Sequence, residues 1–220
     1  MRIFLSYHLD ENTPSYGDRD KFIINFNSEI INGEGANTSK WTFTNNHMGT
    51  HIDTPYHFYQ DGKKILDYKA DDFYFQNIHM IEEVCQEGKL IMLSEKQIKS
   101  IPKNTEFLII KTGYYKYRNI SKYHNDNPGL DAGLADILKI RFKKLRCVGF
   151  DFISLTSWNF REHGKLSHKS FLGPSNDFLI IEDMDLSKVN LTTKFINLTV
   201  APLRTSEGNG GPVTIFSEIK

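Results

Sequence analysis

Short apolar runs rich in β-branched and aromatic side chains recur along the chain at residues 2–5, 22–26, 78–84, 107–112, 147–150, 178–181, 195–200 and 213–219. Each has the length and composition of a strand. Helical periodicity is rarer. Ser94-Glu95-Lys96-Gln97 has the spacing of a capping box, and Pro102 closes the segment that follows it. Leu134, Ile137, Leu138, Phe142 and Leu145 fall on one helical face, with Arg141, Lys143 and Lys144 toward the C-terminal end, where cations suit the helix dipole. The order strand, helix, strand over residues 107–151 predicts a parallel crossover unit. The later strands lack a recognisable helix between them, which predicts antiparallel pairing. Residues 119–133 are polar enough to read as a long loop. The pattern as a whole predicts an α/β fold with a single mixed sheet and more strand than helix.

Bulk composition narrows this picture. A chain of 220 residues with 39% hydrophobic content supports one sizeable core, so a single domain over residues 1–220 is expected. Lys+Arg and Asp+Glu both total 27, and no run of one sign could track a phosphate backbone or an anionic membrane. Nucleic acid and membrane are therefore not expected partners. The apolar run at the N-terminus is too short for a secretion signal, and no stretch approaches a spanning helix, so a cytoplasmic location is expected. Cys85 and Cys147 belong to no CxxC pair and read as buried reduced thiols. No G-x-S-x-G, P-loop or G-x-G-x-x-G string is present, so acyl-serine, NTPase and dinucleotide chemistry have no local support.

The chemistry concentrates in His47-Met48-Gly49-Thr50-His51-Ile52-Asp53-Thr54-Pro55-Tyr56-His57. An even spread of the eight histidines over 220 residues would leave fewer than one in such a window, yet three share it with Asp53. Imidazole nitrogens and a carboxylate oxygen are ligands that Zn²⁺ and Mn²⁺ accept at neutral pH, and a mixed N/O set suits catalysis better than a closed structural site. The i, i+4 spacing of His47 and His51 would suit a helix. Gly49, Pro55 and the β-branched Thr50, Ile52 and Thr54 oppose one. With residues 51–53 extended, His51 and Asp53 point to the same side. A turn at Gly49 can bring His47 to meet them, and Pro55 lets His57 fold back over the site.

This string resembles the signature of the cyclase family, which includes bacterial kynurenine formamidases, isatin hydrolases and some polyketide-ring cyclases. The resemblance implies that His47, His51 and Asp53 are metal ligands and that His57 is the catalytic proton donor and acceptor. It extends to Thr13-Pro14-Ser15-Tyr16-Gly17-Asp18, similar to the family's T-P-x-W-P-G-D segment with one residue fewer, where Tyr16 would contact substrate. Lys111-Thr112-Gly113 is similar to the family's R-T-G, and Val148-Gly149-Phe150-Asp151 to its V-G-I-D. By the same resemblance His168 and Glu182 complete the metal site, although their separation of fourteen residues differs from that of the formamidases. His163, beside Glu162 in a polar stretch, is the rival to His168 and reads as solvent-exposed. Gly208-Asn209-Gly210-Gly211-Pro212-Val213 resembles the family's G-x-D-G-S-P-V turn, with Asn209 and Gly211 in place of Asp and Ser.

The implied fold is the swivelling β/β/α kind. The implied cofactor is a divalent metal, Zn or Mn, one or two per subunit, and the implied assembly is a homodimer or higher homo-oligomer acting on a small molecule. The implied activity is hydrolysis of an amide, formamide or lactam by metal-activated water, with His57 as general acid and base. A metal-dependent cyclase or lyase and a non-catalytic metal-binding protein are the alternatives. The tyrosine-rich stretch at residues 112–117 reads equally as pocket lining or as packing.

Overall fold

The computed structural model describes residues 1–85 and 88–220. Thirteen strands are present among them: β1 Arg2–Phe4, β2 Phe22–Ser28, β3 Thr38–Phe43, β4 His51–Asp53, β5 Tyr74–Phe75, β6 Ile78–Glu82, β7 Leu90–Ile91, β8 Phe107–Lys111, β9 Gly129–Leu130, β10 Cys147–Phe150, β11 Leu179–Glu182, β12 Phe195–Pro202 and β13 Gly210–Ile219. The helices are α1 Glu95–Ser100, α2 Lys122–Asn125, α3 Ala132–Arg141 and α4 Arg161–Leu172. Nine strands form one mixed sheet in the order β5-β12-β13-β4-β11-β10-β8-β6, with β1 added on β13. Its end strands β5 and β6 are only two residues apart in sequence, so the sheet curls back until it is nearly closed.

All eight runs read as strands from the pattern are strands. The strand at 107–111, α3 and the strand at 147–150 form the expected parallel crossover, with Phe107 opposite Cys147. The capping box at Ser94 also forms: its backbone N–H donates to Gln97 Oε1 at 2.8 Å, and the helix stops at Ile101, before Pro102. Two expectations need correction. Residues 119–133 are not one loop, because α2, β9 and the start of α3 interrupt them. The later strands are not all antiparallel either, since α4 separates β10 from β11 and lets them pair in parallel.

The central strands are buried on both faces, which is why they read as unbroken apolar runs rather than alternating ones. Leu108, Ile110, Val148, Phe150 and Ile180 face a layer containing Leu134, Leu138, Phe171 and Leu172 from α3 and α4. Phe107, Ile109, Leu179 and Ile181 point the other way, into the curl of the sheet, toward Ile52, Leu198 and Ile215. Cys147 is buried in that second layer and Cys85 is half-buried; burial raises both thiols, that of Cys85 to about 11.

The Lys111-Thr112-Gly113 and Val148-Gly149-Phe150-Asp151 strings lock each other. The buried Asp151 carboxylate accepts from Thr112 N and Oγ1, both at 2.7 Å, and from Gly113 N at 2.8 Å. A second buried network follows β11. Asp183 sits at φ 52, an αL position that Asp tolerates better than most residues, and accepts from Arg118 Nη2 at 2.8 Å and Tyr123 Oη at 2.5 Å. Arg118 in turn lies 3.8 Å over the Tyr7 ring. Asp183→Ala strands a mostly buried guanidinium, and such losses cost about 3–5 kcal/mol. Chemical denaturation should register that loss; a change under about 1 kcal/mol, the worth of a surface pair, would refute this account of the network.

Candidate metal centre

β4 is three residues long and lies between β13 and β11. Its extended backbone sends Ile52 into the core and turns His51 and Asp53 to the opposite face. Gly49 makes the turn before it at φ 60, where a Cβ would also meet Leu9 Cδ2 at 2.8 Å. The antiparallel register sets Glu182 of β11 directly opposite His51, so a residue 131 positions later arrives beside it through sheet pairing alone. α4 delivers His168. Pro55–His57 forms a single 3-10 turn that folds His57 back until its ring stacks on His47, with centroids 4.0 Å apart.

The six residues predicted as ligands or base therefore meet, in a cavity of about 500 Å³ that Tyr16 also lines. The four innermost are nearly inaccessible: Asp53 1%, His51 3%, Glu182 3% and His168 4% exposed. His51 Nε2 lies 3.5 Å from Asp53 Oδ1 and 3.3 Å from Glu182 Oε2. His168 Nε2 lies 3.5 Å from Asp53 Oδ2 and 3.6 Å from Glu182 Oε1. These separations exceed the usual 2.7–3.2 Å of N–H···O hydrogen bonds. They approach the roughly 3.4 Å between donors that share a tetrahedral centre at 2.0–2.1 Å.

The imidazoles are oriented from behind. His51 Nδ1 donates to Gly49 O at 2.8 Å, and His168 Nδ1 donates to Gly164 O at 3.0 Å, so each Nε2 faces the carboxylates. Burial alone would lower both imidazole pKa values, but the facing carboxylates outweigh it and push His51 up to about 9 and His168 up to about 10. Burial opposes charge on Asp53 and Glu182 as well, yet the surrounding imidazoles hold both carboxyls below their ordinary values. Two buried carboxylates thus demand positive charge, which a divalent cation supplies when the imidazoles act as neutral ligands. Donor chemistry, burial and spacing fit such an ion. The ligand atoms of His51, Asp53 and Glu182 lie within 4.8 Å of one another, and so do those of His47, Asp53 and His57.

His57 differs from its neighbours. Its ring touches those of His47, Phe58 and His168, and among the described residues neither ring nitrogen has a hydrogen-bond partner. Burial, with the charges of His47 and His168 against that of Asp53, lowers its pKa to about 4. Tyr16 lines the same cavity, its ring tilted against Trp158 at 5.2 Å. His163 does not compete for the site: its ring is only partly exposed, and Nε2 accepts from Ala132 N at 3.2 Å, tying α4 to the start of α3. The tyrosines of residues 114–117 line a separate cavity, with Tyr114 buried and bonded to Asp126 O.

Some contributors escaped the sequence reading. Asn209 Oδ1 accepts from His47 Nε2 at 3.0 Å and from Asn46 Nδ2 at 2.7 Å, so the substituted residue of the C-terminal turn still holds a site histidine. Gly210 leaves room for that ring, since a Cβ there would meet His47 Cε1 at 2.5 Å. Phe58 stacks on His168 at 4.8 Å, and Trp158, Arg161 and Lys165 lie at or beside the cavity. Only the Asn209 turn carried a signal, its match to a patterned string.

Comparison with known proteins places this geometry. A family model described as putative cyclase matches residues 3–156, which includes the 47–57 segment and stops before α4. The kynurenine formamidase of Bacillus anthracis is 28% identical over 168 residues, covering 76% of this chain and 73% of that protein. An uncharacterized protein of Methanocaldococcus jannaschii is 28% identical over 194 residues, covering 88% and 82%. Among solved structures, isatin hydrolase A from Labrenzia aggregata bound to benzyl benzoate superposes with a TM-score of 0.79 at 17% identity, over 99% of this chain and 93% of that one. A predicted metal-dependent hydrolase from Bacillus stearothermophilus gives 0.74 at 18% identity, over 99% and 97%. The fold is shared with both.

Proposed function

Because the chain belongs to the cyclase family, we propose that it is a metal-dependent hydrolase of a carbon–nitrogen bond in a small amide, formamide or lactam, acting in the cytoplasm. One observation carries this reading: His57, with both ring nitrogens unpartnered among the described residues, stands against a buried cluster of two carboxylates and two imidazoles. A site that only stores metal has no use for a spare base.

His51, His168, Asp53 and Glu182 would hold the ion, with His47 beside them. Asp53 belongs to both donor groups, so the same side chains suit one ion or two. A bound Zn²⁺ or Mn²⁺ supplies Lewis acidity toward a carbonyl oxygen and lowers the pKa of water from near 16 to roughly 7. His57 would take the proton from the nucleophile and return it to the leaving nitrogen. Asn209 would keep His47 in place, while Tyr16, Trp158 and Phe58 would receive the flat part of the substrate and exclude water from it.

The chain loaded with Mn²⁺ or Zn²⁺ is expected to release formate from formanilide or to open an isatin-type lactam. Enzymes of ordinary speed turn over at about 1–10³ s⁻¹. Loaded protein that turns over neither of these nor a simple lactone would refute the proposal.

A further inference from the structure

Arg161, Lys165 and His168 are four and three residues apart on α4, so they share one face of the helix. At 1.5 Å of rise per residue, Lys165 lies about 4.5 Å and Arg161 about 10 Å from His168 along the axis. All three line the cavity of the metal centre. We propose that Arg161 and Lys165 recognise a carboxylate on the substrate, so that the enzyme selects a planar, singly negative amide over a neutral one. The reaction assigned to such a substrate rests on the hydrolase reading; the anion recognition does not.

The two cations are available. Arg161 lies 3.7 Å over the Trp158 ring and, among the described residues, makes no ion pair with a carboxylate. The guanidinium also hydrogen-bonds the Tyr16 hydroxyl, and its five N–H donors leave others for the two oxygens of a carboxylate. Among the described residues Lys165 pairs only with Glu162, at 2.8 Å, where the side chains are 62% and 84% exposed. Such a solvated contact yields easily to a substrate anion.

The rest of the rim agrees in sign. Arg19 adds a third cation, with Nε donating to Tyr16 O at 3.3 Å. Among the described lining residues the acids are Asp20, Asp53 and Glu182. Asp20 accepts from Asn45 Nδ2 and Thr44 Oγ1, and the other two face imidazoles on the floor. None of the three answers Arg161.

Arg161 also stands where stability would not place it. It opens the first turn of a twelve-residue helix whose preceding residue, Phe160, gives no side-chain cap. The helix dipole disfavours a cation there and favours an anion. A substrate carboxylate would relieve the dipole and give the guanidinium the anionic partner it lacks among the described residues. The adjacent Tyr16 and Trp158 rings supply a shelf for an aryl group beside it.

The test compares Mn²⁺-loaded wild-type protein with R161Q/K165Q. Calorimetry gives the ratio of benzoate to benzamide affinity, and kinetics give the ratio of kcat/KM for 3-carboxyformanilide to that for formanilide. Any direct contact of benzoate with the metal is common to both proteins, so the change in ratio reports the two cations. Each ratio is expected to exceed ten in wild type and to fall at least tenfold in the variant. R161K/K165R, which keeps the charge, should recover most of the binding ratio and show weaker binding at higher ionic strength. Both side chains are exposed, so the fold should survive and a melting curve verifies it. Hydrolysis of formanilide with an unchanged benzoate ratio would overturn the proposal and leave the hydrolase reading standing. Loss of the benzoate ratio in a protein that hydrolyses neither substrate would do the reverse.

Discussion

Asp53→Ala is expected to remove metal binding and turnover together. Asp53 is the one side chain common to both donor groups, and its two oxygens face different partners: Oδ1 lies 2.7 Å from His47 Nδ1 and Oδ2 lies 3.5 Å from His168 Nε2. Alanine leaves Glu182 as the only carboxylate among three imidazoles, a poorer site for a hard divalent cation. Loss of partners one shell further out already costs about 10–100-fold in metal affinity or activity at comparable sites. Loss of this ligand should therefore cost at least about 10³-fold in kcat/KM. Binding can be read without turnover. An ion at 100 times its Kd stabilises the folded chain by about 2.7 kcal/mol, so wild-type protein should melt higher when metal is added and the variant should not. Its metal-free melting curve shows whether the fold is kept, since the β4 backbone still pairs with β11 and β13. A variant that keeps the metal-induced rise would sink the assignment of Asp53.

Four of the six side chains of this centre were legible from local sequence alone, for a physical reason, and His168 and Glu182 could be assigned only through the family resemblance. His47, His51, Asp53 and His57 lie within one turn and one short strand, so local geometry brings them together. Glu182 and His168 are non-local. Glu182 could be suspected as a charge ending an apolar run, but only the β4–β11 register places it opposite His51. α4 was missed because its inward stripe is Gly164, Ser167, His168, Phe171 and Leu172. The spacing is that of a buried helical face, yet three of the five side chains are small or polar, so a search for apolar periodicity passes over it. The polarity has a use. Ser167 donates to Leu130 O at 2.7 Å, fixing the helix to β9, and His168 reaches the site. Missing the helix also led to the wrong strand direction, since a parallel β10–β11 pair requires a crossover.

The runs that form β8, β10 and β11 could be read because strands buried on both faces leave little room for polar residues. β4, β5, β7 and β9 have two or three residues each and are too short to show a period. β2 and β3 form a hairpin of their own whose Phe26 and Trp41 are exposed, so its pattern announces no core.

His57→Gln separates the catalytic role from the ligand role. Glutamine fills similar space beside His47 but cannot shuttle a proton at neutral pH. General acid–base groups contribute about 10²–10⁴-fold, and kcat is expected to fall by that amount. The metal-induced rise in melting temperature should persist, because His51, Asp53, His168 and Glu182 keep their mutual distances without His57. The competing possibility is specific: His57 shares a donor group with His47 and Asp53, so it could complete a second metal position. In that case the variant would bind fewer ions per chain, measured by elemental analysis, and added metal would recover part of the lost rate. Full metal content with a lost rate assigns His57 to proton transfer, and the stacking on His47 then has a plain function. It fixes the base at one orientation beside the ligands without a hydrogen bond that would occupy the nitrogen it needs.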